Sequence, residues 1–224
     1  MNRFNFDDFQ LPNDHPIHSE FGSAQDDSQH NDGIQDGTLS VWGNQLKGNF
    51  LVASPNLENT PFERTVVLVL QNDPTGTFGV VLNRPANRQI LSAWHQLAGT
   101  TSVDENIVHG GPVGGPVFAI HPYPSLGDME MKHGVFVSAG ENALRELVKV
   151  EDDRYRIVFG IAAWKPGQLS QEMTSGLWYP LEANAEDVFD EREWLWEKSF
   201  QRYGNQLLCD MLGLDGVPFD PNDN

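Results

Sequence analysis

The chain has 224 residues, 39% of them hydrophobic, a formal net charge of −18 and a single cysteine. That length suits one sizeable domain, the lone Cys209 excludes an internal disulfide and fits a reducing compartment, and no apolar run approaches the roughly 20 residues that span a bilayer. The charge is uneven, with eight acidic residues and one basic in 1–45, fourteen and ten in 46–182, and ten and three in 183–224. A mildly acidic body between two acidic ends offers no cluster of Lys and Arg for a phosphate backbone, which disfavours direct nucleic-acid binding.

Met1–Gly43 is rich in Asp, Asn, Gln, Ser and Gly, a composition expected to stay disordered. Phe4, Phe6, Phe9 and Leu11 are interrupted by polar residues, so they form no secretory signal; they read either as a partner-docking segment or as loosely packed aromatics. A cytoplasmic location with no membrane association is expected.

Leu46–Ala53 reads as a first strand, closed by Ser54-Pro55, and Asn56–Pro61 as a loop. Thr65–Leu70 is an unbroken β-branched and aliphatic run, which predicts a strand buried on both faces. Asp73-Pro74-Thr75-Gly76 supplies a turn and Thr77–Leu82 a returning strand. The short connection makes the pair an antiparallel hairpin at the centre of a sheet.

A helix is expected over Ile90–Leu97, with Ile90, Trp94 and Leu97 on one face. Short strands over Ile107–His109 and Val117–His121 flank a glycine-rich turn, and Pro122–Lys132 reads as a loop. Val135–Ser138 predicts a strand, and Ser138 with Glu141 a capping box before a helix over Glu141–Val150. Tyr155–Trp164 predicts a long central strand, on whose start alternation places Arg154 and Arg156 together on a solvated face. Pro166 opens a helix that Gly176 ends, with Leu169 and Met173 facing inward. After a strand over Leu177–Leu181, Asp190 and Glu193 suggest a second capping box before a helix to Tyr203 carrying Trp196, Phe200 and Tyr203 at core spacing. The expected organisation is an N-terminal extension over 1–45, one domain over 46–205 and a tail over 206–224. Hairpins mixed with helical connections predict an α+β fold.

Three stretches carry candidate chemistry. His109-Gly110-Gly111-Pro112-Val113 is either an anion-binding nest of free N–H groups or a plain turn. Asn83-Arg84-Pro85, with Arg64 at the end of the neighbouring strand, offers a backbone cap and a bidentate cation; the structural alternative pairs Arg84 with Glu63 or Glu172. Trp164-Lys165-Pro166-Gly167-Gln168-Leu169 is a strand-to-helix junction whose helix end can hold an anion, unless Trp164 closes the core and Gln168 satisfies the loop.

No nucleotide-binding glycine loop is present, and Ser54 lies in no nucleophile elbow. His109, His121 and His133 lack metal-site spacing, and Cys209, beside Leu207, Leu208 and Met211, reads as a small buried apolar residue. No metal, cofactor or catalytic set is therefore expected.

Read together, L-K-G-N-F-L-V-A-S-P (Leu46–Pro55), F-E-R-T-V-V-L-V-L (Phe62–Leu70), G-T-F-G-V-V-L-N-R-P (Gly76–Pro85), G-G-P-V (Gly110–Val113), His121 and W-x-P-G-Q-L (Trp164–Leu169) resemble the AlgH/YqgE family of bacterial proteins over about residues 46–203. Lys165 stands where the family usually has a small residue, and Gln71-Asn72 where a His or an acid is common. The resemblance implies an α+β domain with a mixed, strongly bent, barrel-like sheet and helices packed outside. It also brings the family's label of transcriptional regulator, but no established site residues.

The candidate ligand- or anion-binding residues are thus Arg64, Asn83, Arg84, His109, Gly110, Gly111, His121, Trp164 and Gln168. They serve either a regulatory or binding protein acting on an unidentified small molecule or protein partner, or an enzyme whose polar pocket gathers Asn83, Arg84, His109, His121 and the glycine turn.

Overall fold

In the computed structural model, residues 46–98, 105–132, 134–150, 154–190 and 192–213 are described. The expectations for the N-terminal extension with Phe4, Phe6, Phe9 and Leu11, for His133 and for the tail beyond Asp215 lie outside them.

The predicted hairpin is present. β2 (Val66–Asp73) and β3 (Gly76–Val81) pair antiparallel across the Pro74-Thr75 turn, with a register shift between Val69 and Gln71. Val66, Leu68 and Leu70 face one buried cluster, and Val67 and Val69 another. An uninterrupted apolar run is what a strand covered on both faces requires.

The other strands are β1 (Phe50–Ala53), β4 (Ile107–His109), β5 (Val113–His121), β6 (Met129–Glu130), β7 (Phe136–Ser138), β8 (Arg156–Trp164) and β9 (Trp178–Leu181). They form one sheet in the order β6-β7-β5-β8-β3-β2-β1-β9, with β4 beside β8 off that path. β4 runs parallel to β8 and the remaining pairings are antiparallel, so the sheet is mixed and curls into a half-barrel. β8 joins the two halves of the curl: Ala162–Trp164 pairs with β3, whereas Ile157–Phe159 lies between β4 and β5.

Among the described residues, five helices sit on the outside: α1 (Arg88–Ala98), α2 (Glu141–Leu147), α3 (Gln168–Thr174), α4 (Ala185–Phe189) and α5 (Leu195–Leu212). α5 lays Trp196, Phe200 and Tyr203 against one side of the sheet, stacking Tyr203 on Tyr179 at 4.6 Å. α3 packs Leu169 on the opposite side, and α1 and α2 cover a third cluster with Trp94, Leu144 and Leu147.

Several local expectations change in the folded chain. Neither capping box forms. Gly140 and Trp194 are the N-caps of α2 and α5, and neither contributes a side-chain cap, because Ser138 is bonded to His121 and Leu126 instead, and Asp190 to Lys198. α4, capped by the Asn184 side chain, is unforeseen, and α5 continues nine residues past Tyr203, to Leu212. Cys209 is half-buried on that helix.

Arg156 also departs from its predicted solvated face. It is 6% exposed, and its guanidinium donates to the Asn106 side chain at 3.2 Å and to the carbonyls of Tyr155, Phe189 and Asp190 at 2.8–3.1 Å. Alternation predicts a wet face only when the other side of a strand is open.

Candidate functional site

The site begins in the loop between β1 and β2. Ser54 caps a 3-10 turn over Pro55–Leu57, and the chain then passes through two non-glycine residues with positive φ, Asn59 at 63° and Arg64 at 50°. Such conformations cost of order 1–3 kcal/mol each and persist where surrounding contacts over-determine them.

At Arg64 those contacts come from the Asn83-Arg84 pair, while the Asn59 N–H donates to the Glu63 carboxylate at 3.1 Å. Asn83 Nδ2 donates to the Arg64 carbonyl at 2.8 Å, while Asn83 Oδ1 accepts the Val66 N–H at 2.9 Å. Arg84 Nη2 donates to the Glu63 carbonyl at 3.0 Å, so its expected carboxylate partner is replaced by a backbone oxygen. From the other side, α5 holds Arg64 by an ion pair with Glu197 and by the face of Trp196, 4.9 Å from the guanidinium carbon. Arg64, Asn83 and Arg84 thus act together as a clamp on the loop.

The clamped loop presents Phe62 to two tryptophans. Phe62 stacks on Trp164 with ring centroids 6.1 Å apart and meets Trp178 edge-on at 5.3 Å, and the two indoles cross at 5.5 Å. Gln168 closes the junction into α3: its Oε1 accepts the Lys165 N–H at 3.0 Å and its Nε2 donates to Glu172 Oε1 at 2.8 Å. Glu172 Oε2 accepts both indole N–H groups, from Trp164 at 2.9 Å and Trp178 at 2.8 Å. The Gln168 side chain therefore occupies the helix end that the sequence offers to an anion.

Between this cluster, the loop and α3 lies a cavity of about 410 Å³. Its walls are largely apolar, from Leu57, Pro61, Phe62, Trp164, Leu177 and Trp178, with Thr60, Gln168, Gln171, Glu172 and Ser175 as the polar groups. The sequence singles out neither Trp178 nor Phe62 as a site residue, and Glu172 only as a partner for Arg84. The i,i+4 spacing of Gln168 and Glu172 was a usable signal for Glu172.

The remaining candidates stand elsewhere. Gly110 donates its N–H to Phe159 and accepts the Val81 N–H on its carbonyl, each at 2.8 Å, so this glycine is a strand-to-strand seam rather than a free nest. Gly111 is buried against β8. His109, half-buried, gives its backbone N–H to Arg84 O at 2.9 Å; burial and the Arg84 charge hold its imidazole below the usual histidine range.

His121 is fully buried between Tyr123 and Phe136, with ring centroids 5.9 and 6.4 Å away. Its Nδ1 accepts the Tyr123 N–H at 3.2 Å, which assigns the proton to Nε2, donated to Ser138 Oγ at 2.8 Å. Among the described residues, none of these partners belongs to the Asn83–His109 group. Hydrogen bonding therefore does not join His121 to Asn83, Arg84, His109 or the glycine turn of the imagined acid/base pocket.

Burial lowers the His121 imidazole to about 4, against a smaller opposing pull from Asp128. The unfolded chain takes up this proton near the ordinary value of 6.5 and the folded chain only near 4. Stability is therefore retained above the higher value and lost as pH falls through that window, by at most about 1.4 kcal/mol per pH unit. His109 shifts in the same direction, so the check is differential. Urea midpoints measured from pH 7 down to about 4.5 should fall less steeply in His121→Gln than in the unmodified protein, and equal slopes would contradict a buried neutral His121.

Two further depressions are weaker candidates. One of about 440 Å³ between α1 and α2 is rimmed by charges already paired, Arg145 with Glu141 and Lys149 with Glu146. The other, about 680 Å³ beside Asn83, Asn106, Arg156 and Asp190, is open, and its buried Arg156 is occupied by the bonds above. Among the described residues, no three His, Cys, Asp or Glu side chains gather as a metal site, and no helix is long and apolar enough to cross a membrane.

Comparison with known proteins agrees with this architecture. A UPF0301 protein of Streptomyces coelicolor is 36% identical over 193 residues, covering 80% of this chain and 95% of its own. A UPF0301 protein of Chlorobaculum tepidum is 32% identical over 168 residues, covering 71% and 87%. Two solved structures share the fold: the AlgH protein of Pseudomonas aeruginosa, at 23% identity and TM-score 0.51 over 77% of this chain and 89% of its own, and a Corynebacterium diphtheriae protein, at 24% and 0.57 over 70% and 86%. The model of the AlgH-like family, DUF179, matches residues 50–208, and with that match the chain belongs to the AlgH-like family.

Proposed function

We propose that this chain is a cytoplasmic, non-catalytic binding protein with a regulatory role, and that its ligand occupies the cavity between the 56–65 loop and α3. One observation carries the reading. Two motifs far apart in sequence, Asn83-Arg84 and Trp164–Gln168, converge on the same strained loop, one clamping it and the other facing it across an aromatic floor. Strain held in place by dedicated contacts marks a site that must keep its shape, and an apolar cavity with a few converging polar groups is the usual form of a small-molecule site. The acidic surface and the absence of a basic cluster support action through a ligand rather than through direct DNA contact.

Native mass spectrometry of protein purified gently from its own host tests this. The expected spectrum contains a stoichiometric small-molecule adduct that is lost in the Asn83→Ala, Arg84→Ala double variant while circular dichroism shows the domain still folded. A bare chain, or an adduct indifferent to loosening the clamp, would refute the assignment. Micromolar duplex binding that weakens with salt would move the function to DNA.

A further inference from the structure

Resting on that reading of the cavity, we infer that its ligand is a small organic cation, a protonated amine carried on an apolar, ring-sized body. The Glu172 carboxylate, half-buried at the cavity wall, accepts three N–H donors, the pattern of an acceptor-only ionised group. All three donors are neutral: two indoles and one amide. Among the described residues no Lys, Arg or His pairs with Glu172, and Lys165, the nearest cation in sequence, is exposed and ion-paired to nothing. Hydrogen bonds orient this charge but do not neutralise it.

A partly desolvated negative charge without a counter-ion is costly, and a cationic ligand relieves that cost. The surroundings select in the same direction. Phe62, Trp164 and Trp178 line the floor, and aromatic rings, through their negative quadrupole, accommodate an ammonium group rather than a carboxylate or phosphate. The apolar remainder of the wall, from Leu57, Pro61 and Leu177, takes the hydrocarbon body. The cavity volume of about 410 Å³ is of the order occupied by small ligands rather than by large ones.

Isothermal titration with three probes of one shape tests the class: 2-phenylethylammonium, the neutral 2-phenylethanol and the anionic 3-phenylpropionate, each against the full chain and its Glu172→Gln variant. The amide oxygen introduced by Glu172→Gln keeps an acceptor for the indoles, and thermal unfolding of the variant confirms that the pocket is formed. The ammonium probe should bind saturably, the alcohol about tenfold or more weaker, as for loss of one charge-assisted hydrogen bond, and the carboxylate not at all. Glu172→Gln should erase the preference for the cation.

If the alcohol binds as tightly as the amine, or the variant keeps the preference, the cation assignment is overturned while the cavity remains a binding site. If no probe binds to either protein at millimolar concentration, the cation assignment again fails; the mass spectrum described above then decides separately whether the cavity binds anything.

Discussion

Gly111→Ala is expected to lower stability by about 3 kcal/mol or more, or to prevent folding altogether. Gly111 has φ of 152°, and a Cβ built there would stand 2.3 Å from the carbonyl carbon and oxygen of Ile161 and 2.4 Å from the nitrogen of Ala162. All three are backbone atoms of β8, fixed by pairing on both of its edges, so no side chain can swing aside to make room. The crowding is mutual: Gly160 of β8, at φ of 79°, would place a Cβ 2.6 Å from the Gly111 oxygen. Urea unfolding checks the expectation, with Gly114→Ala as control, since a Cβ at exposed Gly114 meets nothing within 4 Å. The control should shift stability by less than about 0.5 kcal/mol. If Gly111→Ala shared the control's midpoint, the close seam between the glycine turn and β8 would be disproved.

Glu172→Ala should be the second most damaging change, costing about 2–5 kcal/mol, because it strips the acceptor from two buried indole N–H groups at once and from the Gln168 amide. A buried donor left unsatisfied costs about 1–3 kcal/mol. Trp164 and Trp178 are 2% and 1% exposed, so little of either indole is open to replacement by water. Glu172→Gln, which retains an acceptor, should cost less than about 1.5 kcal/mol. Denaturation of the two variants separates the contributions, and the indole N–H exchange rates of Trp164 and Trp178 should rise in the alanine variant alone. Equal stability of the two variants would mean that Glu172 does not anchor the indoles.

The same residues explain how much of the site was readable beforehand. Trp164 and Gln168 stand out because they sit within one six-residue stretch whose geometry is local: a strand end, a proline, a glycine cap and a short helix. Asn83 and Arg84 stand out as polar residues at the end of an apolar strand. What could not be read was their common target, since the hydrogen bonds from Asn83 and Arg84 reach back 19 and 21 residues to Arg64 and Glu63. Apart from its i,i+4 spacing to Gln168, Glu172 is visible in the sequence only as a partner for Arg84, because nothing along the chain says that two tryptophans six and eight residues away will turn their N–H groups onto one carboxylate oxygen.

Failures of local rules have the same origin. Ser138-x-x-Glu141 has the letters of a capping box, yet the Ser138 hydroxyl accepts a hydrogen bond from His121 and donates one to the Leu126 carbonyl, partners supplied by β5 and the turn after it. Arg156 obeys strand alternation, but the face it points to is covered by residues near Phe189, and its guanidinium replaces water with carbonyl oxygens.

Hydrophobic period and turn chemistry, which act between neighbours, were enough to establish the α+β class, the central hairpin, the helix expected over residues 90–97 and the aromatic stripe of α5. Long-range packing settled the rest: the glycine pair is a seam, His121 is a buried imidazole bonded to Ser138, and the aromatic floor and Glu172 line one cavity beside the loop that the clamp holds. Those outcomes depend on a curled sheet bringing side chains from distant segments within hydrogen-bonding range, and a bond of about 3 Å is set by the fold, not by spacing along the chain.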